Sequence, residues 1–382
     1  MTSAQKINRV RLGDYIEPVD VRNIDNSFGV DDVRGISTSK VFIKTKADLY
    51  GVNLSSYKVV GLNNFAYVSD TSRRGEKIAL AFADQNSCIV SSIYTVFRVR
   101  DENLLNPRYL MMFFNRAEFD RYSRFNSWGS ARETFDWSEM CAIELELPPI
   151  DIQRKYVAIY ESLLENLKSF ENELNNLSIA YQAVIESFKK NNPIESIAPY
   201  IEEVKEINKA GKYGRTFLRG VGQEGLIEPK QKRDDASLLK CGVFHLNDFI
   251  YNPSVLYAGA IALNKELECG ICTEEYIVFH SKDINVLLPE YLFMWIKRKE
   301  CGRMINFMSI DSVRNRIYFD DLKMIQIPIV DIEHQKYAVD IFNAYSQRKT
   351  FVSELKEKIS NICPVLIRGS ILEAKGEKQN AN

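Results

Sequence analysis

Residues Tyr156–Phe188 read YVAIYESLLENLKSFENELNNLSIAYQAVIESF, and this stretch decides the fold. Apolar residues recur in it at alternating spacings of three and four, and the positions between them are mostly polar. A seam with this 3.5-residue period, unbroken by Gly or Pro, is typical of a coiled-coil helix; a long amphipathic helix in a globular core is the alternative. The seam positions are Tyr156, Tyr160, Leu163, Leu167, Phe170, Leu174, Leu177, Tyr181, Val184 and Phe188.

A second seam of the same period lies near the end of the chain. It is less regular, because Arg348 occupies one of its positions, and Pro364 is expected to kink or break the helix near its end. The two seams can pair with each other in an antiparallel arrangement. The apolar positions of the second seam are Ile341, Tyr345, Val352, Leu355, Ile359, Ile362 and Leu366.

The chain also contains a long internal repeat. Asn106–Leu110 (NPRYL) recurs as Leu288–Leu292 (LPEYL), and Leu147–Ile152 (LPPIDI) recurs as Ile327–Ile332 (IPIVDI). Six such matches, in order and at nearly one offset, predict a tandem duplication of about 180 residues. Each copy has a strand-rich head, a proline-containing exit and a long helix.

Local patterns predict the elements of each head. In the first, strands are expected at 57–60, 65–68, 77–82 and 92–99, and one helix at 106–122. In the second, strands are expected at 246–252 and 273–280 and a helix at 289–298. Asp151 is the predicted N-cap of the first long helix. The start of the second copy, 213–225, matches 15–35 only weakly.

These observations predict an α+β protein with two duplicated mixed heads joined by two long antiparallel coiled-coil helices, related by a pseudo-twofold axis. The expected boundaries are 1–150 for the first head, 151–191 for the first long helix, 192–330 for the second head, 331–375 for the second helix and 376–382 for a frayed tail.

Composition narrows the class of protein. The net charge is −1 and the pI about 6.4, which argues against binding nucleic acid through bulk positive charge. No apolar run approaches a membrane span, and the polar N-terminus has no signal-peptide core, so a cytoplasmic protein is expected. Seven scattered cysteines suggest free thiols in a reducing compartment.

The order of heads and helices resembles that of the specificity subunits of type I restriction–modification systems. The local matches are Arg11–Tyr15, Asn64–Tyr67 before Thr71–Gly75, Ile89–Ser92, and Leu147–Pro149. The resemblance implies two target-recognition domains, each reading one half of a split sequence in double-stranded DNA. It also implies that the coiled coil fixes half-site spacing and docks two modification subunits, with separate restriction and translocase subunits joining them. S-adenosylmethionine, ATP and Mg²⁺ are then expected on those partners, and no cofactor or metal on this chain.

Motifs of catalysis are weak in this sequence. There is no Asn/Asp-Pro-Pro-aromatic motif for a flipped adenine. Gly220–Gly225 matches G-x-G-x-x-G, but Pro229 follows, so a turn is predicted rather than a nucleotide site. Cys269 and Cys272 form a lone C-x-x-C. The chain is therefore expected to be non-catalytic.

Polar loops that mix cationic, hydroxyl, amide and aromatic side chains are the predicted DNA-reading sites, because these groups hold phosphates and base edges. Tyr257 lies beside one of them. The candidate residues are Thr71, Ser72, Arg73, Arg74, Lys77, Ser127, Trp128, Ser130, Arg132, Lys232, Arg233, Asn252, Ser254, Ser312, Arg314, Asn315 and Arg316. A coiled-coil scaffold that binds proteins, a silent specificity subunit, and an enzyme with an unrecognised site remain the alternatives.

Overall fold

The computed structural model describes residues 9–71, 77–129, 132–229, 235–309 and 316–376. The chain forms two compact units. The first comprises Met1–Ser169 and Val352–Asn382, and the second comprises Phe170–Phe351. Each unit therefore holds one head together with one part of each long helical segment.

The first head is built on a four-stranded antiparallel sheet in the order β2-β9-β6-β7, accompanied by the two-stranded ladders β1-β10, β3-β4 and β5-β8. The strands are β1 Arg9–Arg11, β2 Ile16–Val19, β3 Arg34–Ile36, β4 Phe42–Lys44, β5 Lys58–Val60, β6 Asn64–Val68, β7 Leu80–Phe82, β8 Cys88–Val90, β9 Tyr94–Val99 and β10 Glu144–Glu146.

The central strand β6 shows why this sequence forms a sheet with two covered faces. Phe65 and Tyr67 are fully buried in the larger core, and Ala66 between them belongs to the smaller core on the other face. Side chains alternate between faces along a strand, so large and small residues sort into the two layers. Phe97 of β9 stacks on Phe65 with ring centroids 4.9 Å apart.

Among its described residues, the first head has three short α-helices, and a long helix follows them: α1 Pro107–Phe114, α2 Ala117–Phe125, α3 Trp137–Ala142 and α4 Ile150–Asn191. The single helix predicted at 106–122 is wrong, because the chain breaks into α1 and α2. Asn106 caps α1 by accepting from the backbone N–H groups of Arg108 and Tyr109. Arg116 then adopts an extended conformation (φ −82°, ψ 144°), which ends the first helical run before α2.

The second head repeats this plan strand for strand. Its four-stranded sheet has the order β12-β19-β16-β17, and its ladders are β11-β20, β13-β14 and β15-β18, so each pairing of the first head recurs. The predicted duplication is thereby confirmed. The strands are β11 Ile194–Ser196, β12 Ile201–Glu203, β13 Gly220–Gly222, β14 Gly225–Ile227, β15 Gly242–His245, β16 Phe249–Tyr251, β17 Ile261–Leu263, β18 Cys269–Cys272, β19 Ile277–Ser281 and β20 Gln326–Pro328.

The strand pairing corrects how the start of the second copy aligns with the start of the first. Tyr15 precedes β2 and its carbonyl accepts from Arg100 N at 2.8 Å. Tyr200 precedes β12 in the same way and accepts from Lys282 N at 2.9 Å. The counterpart of Tyr15 is therefore Tyr200, and the weak match at 213–225 was misplaced because it followed residue types instead of strand pairing.

Three of the remaining helices repeat those of the first head. The helix predicted at 289–298 ends at Ile296 and is followed by a second helix, as in the first head. Their bounds are α5 Asp235–Leu238, α6 Pro289–Ile296, α7 Lys299–Met308, α8 Phe319–Leu322, α9 Ile332–Ser360 and α10 Cys363–Ala374. No described helix is both long and apolar enough to cross a membrane.

The two long helices start differently. Helix α4 begins at Ile150, so the prediction of Asp151 as its N-cap is wrong and this residue lies in the first turn. Asp331 precedes α9 and accepts from His334 N at 3.0 Å, as a cap does. The expected break near Pro364 is confirmed, because α9 ends at Ser360 and Pro364 lies in the first turn of α10.

Within the second unit, α4 and α9 pack side by side in opposite directions. Tyr181 lies 6.0 Å from Tyr345 between ring centroids, and Phe170 lies 4.9 Å from Phe351. As residue numbers rise along α4, the numbers of the α9 residues that they contact fall, so the two helices run antiparallel. Arg348 is accommodated in the seam because its guanidinium lies 4.9 Å from the Phe170 ring and 3.0 Å from Glu173.

Within the first unit, the start of α4 packs against α10. Lys155 contacts the carboxylate of Glu373 at 2.8 Å, and the Tyr156 hydroxyl donates to it at 3.1 Å. Tyr109 of α1 shares a 2.7 Å hydrogen bond with Ser370. Helix α10 therefore contacts both the long helix and the head, and the predicted intramolecular pairing of the helical segments is confirmed.

A buried glutamine joins each head to its long helix. Gln153 of α4 accepts from Asn106 N and donates to the carbonyls of Leu104 and Pro148, all at 2.8–2.9 Å. Gln335 of α9 makes the equivalent three contacts in the second unit. It accepts from Leu288 N and donates to the carbonyls of Val286 and Val330. Both side chains are fully buried.

Candidate nucleic-acid interface

Two loops that the sequence analysis selected separately lie side by side in the first head. The backbone N–H of Thr71 donates to Glu133 O at 3.0 Å, and Phe135 N donates to Ser69 O at 2.8 Å. Trp128 and Thr134 exchange two backbone hydrogen bonds of 3.1 and 2.9 Å. The segment after β6 and the segment before α3 thus form one continuous surface at the same end of the head.

The second head builds the same junction. Ile317 N donates to Pro253 O at 3.1 Å, and the Tyr251 hydroxyl donates to Ile317 O at 3.2 Å. These contacts join the loop after β16 to the segment before α8. The two heads therefore share a backbone frame here, although the side chains that it carries differ.

The described candidates of the first head divide into internal and exposed groups. Thr71 is buried and its hydroxyl donates to Glu133 O at 3.1 Å; Ser127 is buried and donates to Ser123 O at 2.6 Å. These two hydroxyls stabilise the loops. Trp128 is 63% exposed, and Lys77 and Arg132 are exposed, so these three side chains are available to a ligand.

In the second head, the described candidates are all half-buried. The side-chain oxygen of Asn252 accepts from Ser254 N at 3.0 Å, which shapes the turn after β16. Arg316 lies at the start of the segment that joins this turn. Tyr257 is 42% exposed beside it.

Several predicted contacts lie outside the described residues, and the structure gives no placement for them. They are Ser72, Arg73, Arg74, Ser130, Lys232, Arg233, Ser312, Arg314 and Asn315.

A buried ion pair that the sequence analysis missed supports the first-head loops. The Lys40 ammonium contacts both carboxylate oxygens of Asp120 at 2.8 Å, with the side chains 6% and 12% exposed. The same carboxylate accepts from Ile78 N at 3.3 Å, directly after the loop that contains Lys77. Burial lowers the pKa of Lys40, although Asp120 opposes this shift. The partners are 80 residues apart, and no sequence signal joins them.

In the second head, a lysine that the sequence analysis did not select also joins two loops. Lys297 donates to Gln223 O at 2.6 Å and to Gly259 O at 3.1 Å, so it ties the tip of the β13-β14 hairpin to the turn after Tyr257. Gly259 adopts φ +86°, a conformation that favours glycine at this turn. Burial lowers the pKa of Lys297. The hairpin tip therefore belongs to the surface of the Asn252 turn.

The two weak catalytic motifs are both parts of β-ladders in the second head. Gly220–Gly225 forms the β13-β14 hairpin, so the predicted turn is confirmed and no helix opens from it. Cys269 and Cys272 lie on β18, which pairs with β15. Burial raises the pKa of Cys272 to about 12, and a thiol of that pKa is a poor metal ligand or nucleophile.

Comparisons with known proteins agree with this architecture. Residues 194–361 match the family model of the type I restriction modification DNA specificity domain. The type I restriction–modification S subunit from M. genitalium has 11% sequence identity to the chain, with a TM-score of 0.58 over 98% of both chains. That likeness shows a common fold.

Two further solved structures show lower scores. The HsdS subunit from Thermoanaerobacter tengcongensis has 16% identity and a TM-score of 0.39 over 99% of this chain and 100% of its own. A chain from a study of complex assembly and conformational transition of the type I R-M system has 15% identity and a TM-score of 0.44 over 98% and 100%. No curated protein matches the chain by sequence.

Proposed function

Because residues 194–361 match the type I restriction modification DNA specificity domain, we propose that this chain reads a bipartite DNA target. Each head would recognise one half of the target. The chain would hold the target for modification subunits and perform no methyl transfer itself. S-adenosylmethionine, ATP and Mg²⁺ would be supplied by the partner subunits.

One observation carries this proposal: both heads have the same backbone junction, but its side chains differ. At this junction the first head has Thr134 where the second has Arg316, and the first places Trp128 there while the second places Asn252 and Tyr257. A constant frame with variable polar and aromatic side chains suits the reading of two different base sequences, because base edges are distinguished by side-chain donors and acceptors. The two half-sites are therefore expected to differ.

The proposal is tested by sequencing methylated bases in the host genome with and without this gene. We expect an asymmetric, two-part methylated motif that disappears on deletion and returns on complementation. Complementation with Arg132→Ala should relax or weaken recognition in one half of the motif, and Arg316→Ala in the other half.

Arg154→Ala is the matched control, since it removes an exposed arginine from α4, which contributes no residue to either junction. It should restore the full motif. An unchanged methylation pattern on deletion would contradict the proposal and favour a protein-binding scaffold or a silent subunit. DNA methylation or cleavage by the purified chain alone would contradict its non-catalytic role.

A further inference from the structure

Helices α2 and α7 can be compared residue by residue, because their starts are fixed in the same way in both copies. Arg116 and Arg298 are extended residues that precede α2 and α7. Arg116 lies 3.9 Å from the Phe113 ring, and Arg298 lies 4.8 Å from the Trp295 ring. The alignment of the two helices therefore contains no gap.

The core-facing positions of this helix have diverged. Phe119, Asp120 and Ser123 in the first head correspond to Cys301, Gly302 and Ile305 in the second. Asp120 pairs with the buried Lys40, whereas a Cβ at Gly302 would lie 3.1 Å from Tyr257 O. Each head has thus evolved its own packing beneath the helix.

Three exposed positions of this helix have been retained. Glu118, Arg121 and Phe125 recur as Glu300, Arg303 and Phe307, and all six side chains are exposed. Their spacing of three and then four residues places them on one side of the helix. Phe125 and Phe307 are 78% and 76% exposed. We name this face the Glu–Arg–Phe stripe.

The preceding helix of each head shows the opposite pattern. In α1 and α6 the buried Tyr109 and Leu110 recur as Tyr291 and Leu292, while the outward-facing Arg108 is replaced by Glu290. That is the usual outcome when packing is the constraint, because interiors tolerate volume changes poorly and surfaces tolerate them well. Ion pairs within the heads involve the charged members, since Glu118 lies 3.8 Å from Arg121 and Glu300 lies 3.3 Å from Arg298. Packing of the described residues gives no reason for retaining the exposed phenyl ring.

A face that is the same in both heads fits a ligand that is the same for both heads. Base-reading side chains should differ between the heads, because the two half-sites differ. The DNA backbone is common to both, but the stripe carries a carboxylate that repels phosphate and a phenyl ring that cannot hydrogen-bond to it. Arginine and aromatic side chains on a polar surface are typical of protein interfaces.

We propose that the Glu–Arg–Phe stripe of each head docks one copy of a protein present twice in the complex, namely the modification subunit. This inference rests on the proposed function and adds a contact on the heads to the docking expected on the coiled coil. The phenyl ring would enter an apolar pocket of the partner, and the arginine and glutamate would pair with charges at its rim.

The test measures how many modification subunits the full chain binds. Phe125→Ala, Phe307→Ala and the double variant are purified with the co-expressed modification subunit, and mass and affinity are measured by sedimentation. Each single variant should bind one of its two copies about 10–30-fold more weakly and leave the other unchanged, as loss of a central aromatic anchor predicts. The double variant should weaken both.

Ala117→Lys and Lys299→Ala are matched controls, because they exchange residues at an exposed position of the same helix where the heads differ. They should assemble like the unmodified chain, and circular dichroism should show every variant folded. Unchanged assembly of the double variant overturns the inference. Unchanged assembly with weakened DNA binding also overturns it, and assigns the face to DNA. Neither result affects the bipartite methylation motif of the unmodified chain, which tests the proposed function separately.

Discussion

At the scale of single residues, the Lys40–Asp120 pair ties the turn before β4 to α2 and, through Ile78 N, to the segment before β7. Lys40 lies in a turn at φ +61°, a conformation that a lysine rarely adopts without support. Its support is the pair with Asp120, which also fixes Ile78 N beside the candidate loop. The second head has Gly302 at the position of Asp120 and relies on backbone packing there.

Removing one partner of this pair should be costly, because it leaves an unpaired buried charge. We expect Lys40→Met to lower the free energy of unfolding by about 3–5 kcal/mol. The double variant Lys40→Met with Asp120→Ala should recover part of that loss. Urea unfolding checks both, and the exposed Lys46→Met serves as control, with a change within about 0.5 kcal/mol. Equal stability of Lys40→Met and Lys46→Met would contradict this role.

At the scale of elements, the buried glutamines determine how each head meets its long helix. Gln153 and Gln335 each satisfy one backbone donor and two backbone acceptors from the loop before α1 or α6 and from the head exit. These backbone groups are not otherwise paired by regular strands. A side-chain amide suits the site because it offers both an acceptor and two donors.

Replacing either glutamine by leucine keeps the volume but leaves the three backbone groups unpaired. We expect Gln153→Leu and Gln335→Leu each to cost at least about 3 kcal/mol, since each of the three unsatisfied buried groups costs about 1–3 kcal/mol. Gln182→Leu, at an exposed position of α4, is the control and should change stability by less than about 0.5 kcal/mol. Thermal unfolding distinguishes the three variants. Similar midpoints for all of them would show that Gln153 and Gln335 do not stabilise the contact between each head and its long helix.

At the scale of the whole molecule, the duplication gives the chain two heads with the same strand pairing. One chain can therefore carry two different surfaces on the same backbone. The net charge of −1 provides little general attraction for DNA. Under the proposed function, affinity for DNA would then come from local cations at the junctions and from partner subunits.

The isolated chain should therefore bind duplex DNA weakly, even when the target motif is present. We expect binding to fall steeply between about 50 and 200 mM salt, because the few phosphate contacts release counterions. Fluorescence anisotropy with and without the modification subunit measures this difference. Tight, salt-insensitive binding by the chain alone would show that the partners are not needed for affinity.

The sequence by itself determined the large features of this protein. The 3.5-residue seams and the repeat of about 180 residues predicted two long antiparallel helices and two equivalent heads, because periodic apolar residues and recurring segments are local signals. Pro364 likewise predicted the break before α10, since proline cannot continue a helix interior.

Only the tertiary structure decided which distant residues meet. The short strands β1–β4, β8, β10–β15, β17, β18 and β20 were not predicted, and the helix at 106–122 proved to be two, because strands of three or four residues and a two-residue break leave little periodicity. Segments far apart in the chain are joined in three places: by the Lys40–Asp120 pair, by the buried glutamines Gln153 and Gln335, and at the junction of the candidate loops. Their energies come from burial and from satisfied hydrogen bonds, which exist only once the chain has folded.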